Sequence, residues 1–520
     1  MVHNIRDESL STTGRSLSIA DGQHCMADGL FGDLDGIEGA RDVQVRNNTL
    51  DKLLEVEKEL IREYSSKHLV EMLDYDVCDM YEEYKKRYIP FYKEVRKRLN
   101  ETTFNEGDIA SLVLAEANNE YSVNEKLVLG VYTGCLASLL TERNRKEGKR
   151  TRIHIDGKDN IFHFLFLFAR DVDDIIVENL KGSWICGYIA SHNGHANDII
   201  GVNLEGNSPF AYIGSNEGRV NRLVGLRIKD SEVMSYAFSE GGSCSQMIAV
   251  GIRGGLNNLG FIGHSDSSKR NGKIEQLIVV DVEGRTQPIF GVGSQGNKFN
   301  QVIAVKVDCR ISGVLGSVGS HTEILQVIGA ELKGEANFNH AGFSGYIHQL
   351  YGINIEGDRT FSNLGYYYGK LGTIVAIGVK GKETFHWHSD QEDLKNGPIT
   401  KNVKKIVYYD CAEISPFIDA YSDNIVSGNE ALAEYKRLSQ KHHISEIVEL
   451  AKSMEGKNYQ EVLGIADKLY TLQPDFSDDI SLHQKHKDDQ LRRASWFFRC
   501  LYVDAKYYLQ NKFSNLAKKK

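Results

Sequence analysis

The stretch that ends one repeat of this chain reads Ile199-Ile-Gly-Val-Asn-Leu-Glu-Gly206. A similar ending stands at Ile175-Ile-Val-Glu-Asn-Leu-Lys-Gly182, and the ninth and last copy is Ile374-Val-Ala-Ile-Gly-Val-Lys-Gly381. Most copies follow one another at about 24 residues, and a fixed period of this size is typical of a solenoid. In a solenoid each unit buries its apolar face only against its neighbours. The sequence therefore predicts a stack of similar coils.

Apolar and polar residues alternate within each ending. In the copy quoted first, Ile200, Val202 and Leu204 alternate with Asn203 and Glu205. A period of two indicates a strand with one buried face, so the three apolar residues are expected to point into one core. The expected fold is mainly β, a single-stranded parallel β-solenoid of about ten coils with a period of about 24 residues, flanked by α-helical segments.

Composition shifts along the chain predict four segments. Helical periodicity appears before the repeat, as in Asn124–Arg145, and a helix near Leu69–Arg98 is expected to be interrupted at Pro90. We expect Asn124–Arg145 to cover the N-terminal end of the stack, as end units of solenoids do. The expected segments are a disordered stretch at 1–40, helices at 41–147, the β-solenoid at 148–415 and helices at 425–520.

The repeat resembles the parallel right-handed β-helix group, which includes pectate-lyase-like proteins and viral tailspikes. The resemblance covers about residues 150–415 and concerns architecture alone. No catalytic motif of a polysaccharide lyase matches residue by residue, so the resemblance implies no active-site residue here.

Bulk composition limits the classes of partner. The chain has 520 residues and a net charge of −9, which argues against general nucleic-acid binding. Its eight cysteines include no CxxC pair, which indicates reduced thiols and favours the cytoplasm. The first residues lack a secretory signal pattern, and no apolar run has the roughly 20 residues that a membrane span needs.

Three turn residues are the candidate catalytic groups. His192, Glu217 and Glu240 fall on successive repeats and could form a polar strip along the rod. Paired carboxylates can cleave glycosides, and a His/Glu group can bind a metal. The alternative is that they are ordinary polar turn residues, which any solenoid contains.

Two further motifs have structural interpretations. The run Gly291-Val-Gly-Ser-Gln-Gly296 matches G-x-G-x-x-G, but a strand pattern follows it where a dinucleotide fingerprint needs a helix, so no cofactor is predicted. The cluster His386-Trp387-His388 lacks an identifiable third ligand, so we interpret it as an aromatic cover of the core rather than a metal site, and no metal is predicted.

These observations favour a non-enzymatic structural or protein-interaction scaffold, with enzymatic activity left open. A protein partner is expected at the C-terminal helices, where Trp496, Phe497 and Tyr502 cluster. The alternative is a carbohydrate-binding or carbohydrate-cleaving β-helix protein, with a glycan as its ligand. Outward aromatic rings on adjacent coils would favour the alternative, and a salt-paired face would favour the scaffold.

Overall fold

The computed structural model describes residues 48–66, 80–229, 232–254, 259–264, 272–284, 288–293, 298–309, 315–316, 322–342, 345–365, 369–385, 401–416 and 418–474. The chain divides into two compact units, Met1–Asn48 and Thr49–Lys520, and the second unit contains the whole repeat. The segment predicted to be disordered, 1–40, lies outside the described residues. So do the cluster at 386–390 and the aromatic residues after 490.

Four helices precede the repeat: α1 (Asn48–Tyr64), α2 (Met80–Arg98), α3 (Glu106–Glu116) and α4 (Val123–Lys146). Capping boxes at Asn105 and Ser122 begin α3 and α4. In each, the cap side chain accepts a hydrogen bond from the backbone N–H of residue N3, and the N3 carboxylate accepts one from the backbone N–H of the cap residue. The predicted interruption at Pro90 is wrong, because α2 runs through this residue. A proline in a helix costs one backbone hydrogen bond, and here the surrounding packing tolerates that loss.

The repeat folds as a parallel β-solenoid, as predicted. The strands are β1 (Arg152–Asp156), β2 (Asp174–Lys181), β3 (His195–Glu205), β4 (Arg219–Leu226), β5 (Ser243–Val250), β6 (Leu259–Gly260), β7 (Lys273–Gly284), β8 (Ile289–Phe290), β9 (Lys298–Cys309), β10 (Leu315–Gly316), β11 (Glu323–Ala330), β12 (Tyr346–Ile353), β13 (Lys370–Ile377), β14 (Val403–Tyr409) and β15 (Ile425–Val426). Twelve of them form one sheet in the order β1-β2-β3-β4-β5-β7-β9-β11-β12-β13-β14-β15, and β6, β8 and β10 form a second sheet. The solenoid has about 8 turns, slightly fewer than the ten predicted.

The apolar residues of each strand serve two cores rather than one. Ile199 and Leu204 belong to the solenoid interior, whereas Ile200 and Val202 belong to a separate apolar layer on the outer face of the sheet. The expectation that Ile200, Val202 and Leu204 share one face is therefore wrong. The reason is Asn203, whose left-handed backbone (φ 53°) turns the chain at a corner and shifts the alternation by one residue.

Glycines on the inner side of the sheet make room for aromatic rings from the opposite wall. A Cβ atom on Gly201 would lie 2.3 Å from Cζ of Phe210, and one on Gly352 would lie 2.4 Å from Cζ of Phe361. Both rings are fully buried. The interior is thus filled by pairing a glycine with a large ring across the coil, which keeps the core close-packed.

The wall opposite the sheet is a series of tight turns. Tyr188, Ala190 and His192 have φ of 55°, 56° and 55°, so every second residue is left-handed. These residues donate alternately to the next and the previous coil, as in Tyr188 N to Ala211 O (3.0 Å) and Ala190 N to Ala169 O (2.8 Å). A left-handed residue other than glycine costs about 1 kcal/mol or more, and the bonds between coils offset that cost.

Helix α4 covers the first coil, in agreement with the expectation for Asn124–Arg145. The hydroxyls of Thr133 and Ser138 accept hydrogen bonds from the backbone N–H groups of Phe166 and Arg170, both at 3.0 Å. The fit is close, because a Cβ atom on Gly134 would lie 2.3 Å from the carbonyl oxygen of Leu167. Most of α4 is buried, and the solenoid therefore has a covered N-terminal end.

The C-terminal helices are α5 (Ile418–Tyr421), α6 (Gly428–Lys441), α7 (Ile444–Lys452) and α8 (Tyr459–Thr471). The apolar residues of α6, α7 and α8 form one buried layer with the outer side of the long sheet, for example Ile447 and Val462 with Ile303, whereas Ile418 and Tyr421 of α5 belong to the solenoid interior. Where these helices cover it, the sheet is buried on both faces, as in α/β proteins, whereas the outer face of β1 is exposed. Among the described residues, no helix is both long and apolar enough to cross a membrane.

Candidate functional site

The three predicted catalytic residues lie at one corner of successive coils. Backbone hydrogen bonds join the coils there, from His192 N to Ser215 O (3.0 Å) and from Glu217 N to Glu240 O (3.0 Å). Their places on successive coils agree with the repeat spacing, but they do not form the polar strip on the rod's surface that was expected, because His192 and Glu240 are buried. The structure joins the backbones of Glu217 and Glu240 on adjacent coils and places His192 one coil before Glu217.

The three side chains differ in access to solvent. His192 and Glu240 are each 3% exposed, whereas Glu217 is exposed. The His192 ring stacks on Tyr84 with centroids 4.1 Å apart, and its Nδ1 lies 2.9 Å from the Ser191 hydroxyl. The corner thus offers a single open carboxylate beside two buried groups. A catalytic role of the trio remains a prediction.

An aromatic column runs along the turn wall next to this corner. Neighbouring rings lie 4.7 to 5.0 Å apart with interplanar angles of 5° to 18°, and the column consists of Phe168, Tyr188, Tyr212, Tyr236 and Phe261. Sugars bind aromatic side chains through the ring faces, but here each inner ring has its faces covered by its neighbours. The column therefore stiffens the rod and presents ring edges to its surroundings.

Charged residues form a second column at the end of each repeat copy. Parallel bridges connect the coils there, and the column consists of Lys181, Glu205, Lys229, Arg253, Glu283, Asp308, Lys333, Glu356 and Lys380. Opposite charges pair across coils, as in Lys181 with Glu205 (3.8 Å) and Lys333 with Glu356 (3.7 Å). This is a salt-paired face of the kind that the sequence analysis associates with a scaffold. Each exposed pair contributes about 0 to 1 kcal/mol.

An open groove of about 590 Å³ lies beside the corner at Asn203. Amide side chains are bonded across coils along it, from Asn203 Nδ2 to Asn179 Oδ1 (2.8 Å) and from Arg227 Nε to Asn203 Oδ1 (2.7 Å). Arg227 also donates to the backbone oxygen of Lys457, at 3.0 Å, and so joins the solenoid to the loop before α8. The groove presents both donors and acceptors, with basic and acidic residues side by side.

A ladder of buried glutamines runs beneath the C-terminal helices. Each amide nitrogen donates to the amide oxygen of the next coil at 2.6 to 3.0 Å, and the members are Gln246, Gln276, Gln301, Gln326 and Gln349. The ladder ends at His442 Nε2, 2.9 Å from Gln349 Nε2. Burial lowers the pKa of His442 to about 4, so its ring is neutral at physiological pH and can accept this bond.

The glutamine ladder was missed at the level of sequence. Its signal was present, because each glutamine stands eight residues before the last residue of its copy, as Gln246 does before Gly254. The ladder also bonds to α8, through Gln246 Nε2 to Ala466 O (2.8 Å) and Gln276 Nε2 to Leu469 O (3.0 Å). The sheet therefore holds its helices by specific polar contacts as well as by apolar packing.

Two further chemical features of the described residues are their potential metal ligands and their cysteine thiols. Within the described part of the chain, no three His, Cys, Asp or Glu side chains group so as to hold a metal ion. Cys135, Cys186 and Cys244 there are free thiols, and all three are buried. Burial raises the pKa of the Cys186 thiol, which keeps it protonated and unreactive.

Comparison with protein-family models, with curated proteins and with solved structures finds no match to this chain. The likeness to β-helix proteins is thus one of architecture.

Proposed function

We propose that this protein is a non-enzymatic structural or protein-interaction scaffold, in which the solenoid holds the C-terminal helices in a fixed position. The observation that carries the proposal is the bonding between sheet and helices. Buried amides contact α8, an ion pair of 2.6 Å joins Lys306 to Glu455, and another of 2.6 Å joins Lys405 to Glu434. A rigid frame that fixes helices over several coils suits the presentation of a binding surface.

The salt-paired column supports the same proposal. It extends over nine repeat copies and mixes both signs of charge, which favours a soluble rod with a regular face. The partner is proposed to be another protein that docks on the C-terminal segment 425–520. A cytoplasmic location belongs to the proposal, and the free cysteines support it, because buried unpaired thiols are typical of reducing compartments.

Carbohydrate binding or cleavage is the second candidate, and the groove beside Asn203 favours it. Amides and mixed charges in an open groove can exchange hydrogen bonds with sugar hydroxyls. The aromatic column counts against it, because stacked rings leave no free face for a sugar. If the candidate holds, Glu217 and Glu240 are the carboxylates to test first.

The test of the scaffold proposal compares two chains in a pull-down from the native lysate. One is complete, and the other ends at Pro474, which removes the segment after α8 and leaves the described helices in place. We expect a specific partner to be recovered with the complete chain and lost with the shortened one, because Trp496, Phe497 and Tyr502 of the proposed docking segment lie after Pro474. Circular dichroism and melting temperature should stay unchanged. Glycan cleavage that disappears in the double variant Glu217→Gln and Glu240→Gln would instead overturn the non-enzymatic function.

A truncation that also removed α6 to α8 would not be informative. It would expose the apolar outer face of the sheet, including Ile200 and Val202, and such surfaces aggregate. A glycan array run on the complete chain addresses the second candidate directly, since saturable binding lost with Asn203→Ala and Arg227→Ala would support it.

A further inference from the structure

A cavity of about 450 Å³ lies where α2, α4 and the first coil meet. One stripe of α2 lines it, with Tyr84, Tyr88 and Tyr92 one helical turn apart, and Arg170 of the first coil closes the other side. The volume lies in the range of about 300 to 1,000 Å³ that is typical of small-molecule sites. The cavity is separate from the corner that holds Glu217 and from the groove beside Asn203.

Tyr84 and Tyr88 have neighbours on both ring faces and so meet the cavity with their ring edges. Tyr84 stacks on Tyr88 on one side, at 4.8 Å, and on His192 on the other, at 4.1 Å, so both of its faces are covered. The edge of an aromatic ring carries partial positive charge, whereas its face carries partial negative charge. The aromatic wall therefore favours electron-rich groups and the face of a second ring in an edge-to-face arrangement.

The hydroxyl group of Tyr84 adds to this preference. It is buried and has no hydrogen-bond partner within the part of the chain that the structure describes. Burial raises the pKa of Tyr84, so the phenol keeps its proton at neutral pH. Because this buried O–H group has no acceptor among the described residues, the partial positive charge of its hydrogen is not compensated and adds to that of the ring edges. Such a group is unusual in a native core.

The rim of the cavity carries a surplus of positive charge. Its cations are Lys93, Arg96 and Arg170, and its carboxylates are Glu142 and Asp171. Arg96 contacts Glu142 at 2.9 Å, and Lys146 neutralises the same carboxylate from outside the rim, also at 2.9 Å. Arg170 contacts Asp171 only at 3.6 Å, and Lys93 has no ion pair with any described residue. Two cations are therefore available to an anionic ligand.

We propose that this cavity binds a small aromatic carboxylate, with its ring against Tyr84, Tyr88 and Tyr92 and its carboxylate group at Arg170 and Lys93. The ring edges and the protonated phenol attract an electron-rich ring. The two available cations attract its carboxylate. The inference is independent of the scaffold proposal, because the cavity lies at the N-terminal end and the scaffold contacts lie on the outer sheet face.

The test measures binding of 2-naphthoate to the full chain by calorimetry, beside the neutral 2-naphthylmethanol, which has the same ring system. We expect the acid to bind about tenfold or more tightly than the alcohol, because only the acid uses the cations at the rim. The double variant Lys93→Gln and Arg170→Gln should remove this difference and leave the alcohol unchanged. The matched control Lys468→Gln, an exposed lysine on α8, should bind as the parent does.

A second variant tests the location. Ile89→Trp places a large side chain in the cavity and should abolish binding of both compounds, with circular dichroism to verify that the chain still folds. Equal affinities for acid and alcohol, or an acid affinity that the charge variants leave unchanged, would overturn the proposal. No saturable binding of the acid up to its solubility limit would do the same.

Discussion

The amide nitrogen of Gln246 donates to the backbone oxygen of Ala466 at 2.8 Å, although 220 positions separate the two residues. One coil further, Gln276 donates to the oxygen of Leu469, three residues along α8. Three helical residues rise by about 4.5 Å, and neighbouring strands lie about 4.8 Å apart, so the helix and the stack advance almost in step. This match explains how one helix can bond to the same position of successive coils.

Replacing Gln276 by leucine should loosen α8. The change removes the donor to Leu469 of α8 and leaves the buried amide oxygen of Gln301 without its bond, which costs about 1 to 3 kcal/mol. Hydrogen exchange of residues 459–471 should accelerate, and the melting temperature should fall. The control Lys273→Gln changes an exposed residue of the same strand, and equal effects of the two variants would contradict the role of the ladder.

Aspartate at Val202 and at Leu204 should produce two different defects. Both residues are buried, so each unpaired charge should cost several kcal/mol. Val202 lies under the outer apolar layer, and Val202→Asp should disturb that layer more than the interior of the coils. Leu204→Asp should disrupt the coils themselves and reduce the β-sheet circular dichroism. Identical profiles, or melting within a degree or two of the parent, would show that the two-core assignment is wrong.

Gly134→Val should open the N-terminal end of the solenoid. Its Cβ position is 2.3 Å from the carbonyl oxygen of Leu167, so any side chain there pushes α4 off the first coil. An uncovered end exposes apolar residues and unpaired backbone groups, which favour association. Light scattering should therefore detect concentration-dependent oligomers. Gly464→Val, on α8 where a Cβ meets no neighbour, is the control and should stay monodisperse at the parent's level.

The N-terminal helices should lose stability as the pH rises. Burial, with the nearby Glu116 carboxylate as a second cause, raises the pKa of Glu57 to about 8. An unfolded glutamate titrates near 4.3, so between these values the folded state holds a proton that the unfolded state has lost. Stability should fall by about 1.4 kcal/mol per pH unit across this window and level off above it.

Glu57→Gln is the variant that tests this dependence. It keeps the shape of the side chain and removes the titration, so stability should become nearly independent of pH between 6.5 and 8, above the range in which His442 titrates. Denaturant unfolding at several pH values measures the slope. A variant that keeps the slope of the parent would show that another group is responsible.

The opposite sign is expected at the C-terminal helices. Burial lowers the pKa of His442 to about 4, so between pH 6.5 and 4 the unfolded state binds a proton that the folded state does not. Stability should therefore fall as the pH drops through this window. Nuclear magnetic resonance titration of the ring should give the low pKa directly, and a value near 6.5 would contradict the buried, neutral ring.

The repeat period was sufficient to predict the solenoid, because stacking requires every coil to repeat the same spacing. The strand from His195 to Glu205 shows where the prediction failed. Alternation alone cannot reveal that Asn203 is left-handed, and this one residue moves Ile200 and Val202 to a different core from Leu204. The outer core also depends on helices more than 200 residues away, which no local pattern can indicate.

The candidate site was predictable only in its position along the rod. Spacing placed His192, Glu217 and Glu240 on successive coils, but His192 is covered by Tyr84 of α2, which is far from it in sequence. The aromatic column could have been found from the period, since Tyr188, Tyr212 and Tyr236 recur at 24 residues. The direction of each ring follows from the left-handed turns, which bulky residues rarely adopt and sequence rules do not anticipate.

The bonds of α8 to Gln246 and Gln276 couple the length of the solenoid to the length of a helix. An extra coil inserted between β5 and β7 would keep every strand in register but would double the distance between the two glutamines, to about 9.6 Å. The oxygens of Ala466 and Leu469 would remain about 4.5 Å apart, so one bond would be lost unless α8 also gained about three residues. Insertions and deletions of whole coils are therefore expected to be tolerated in the coils before β4, which these bonds do not reach, sooner than beneath α8.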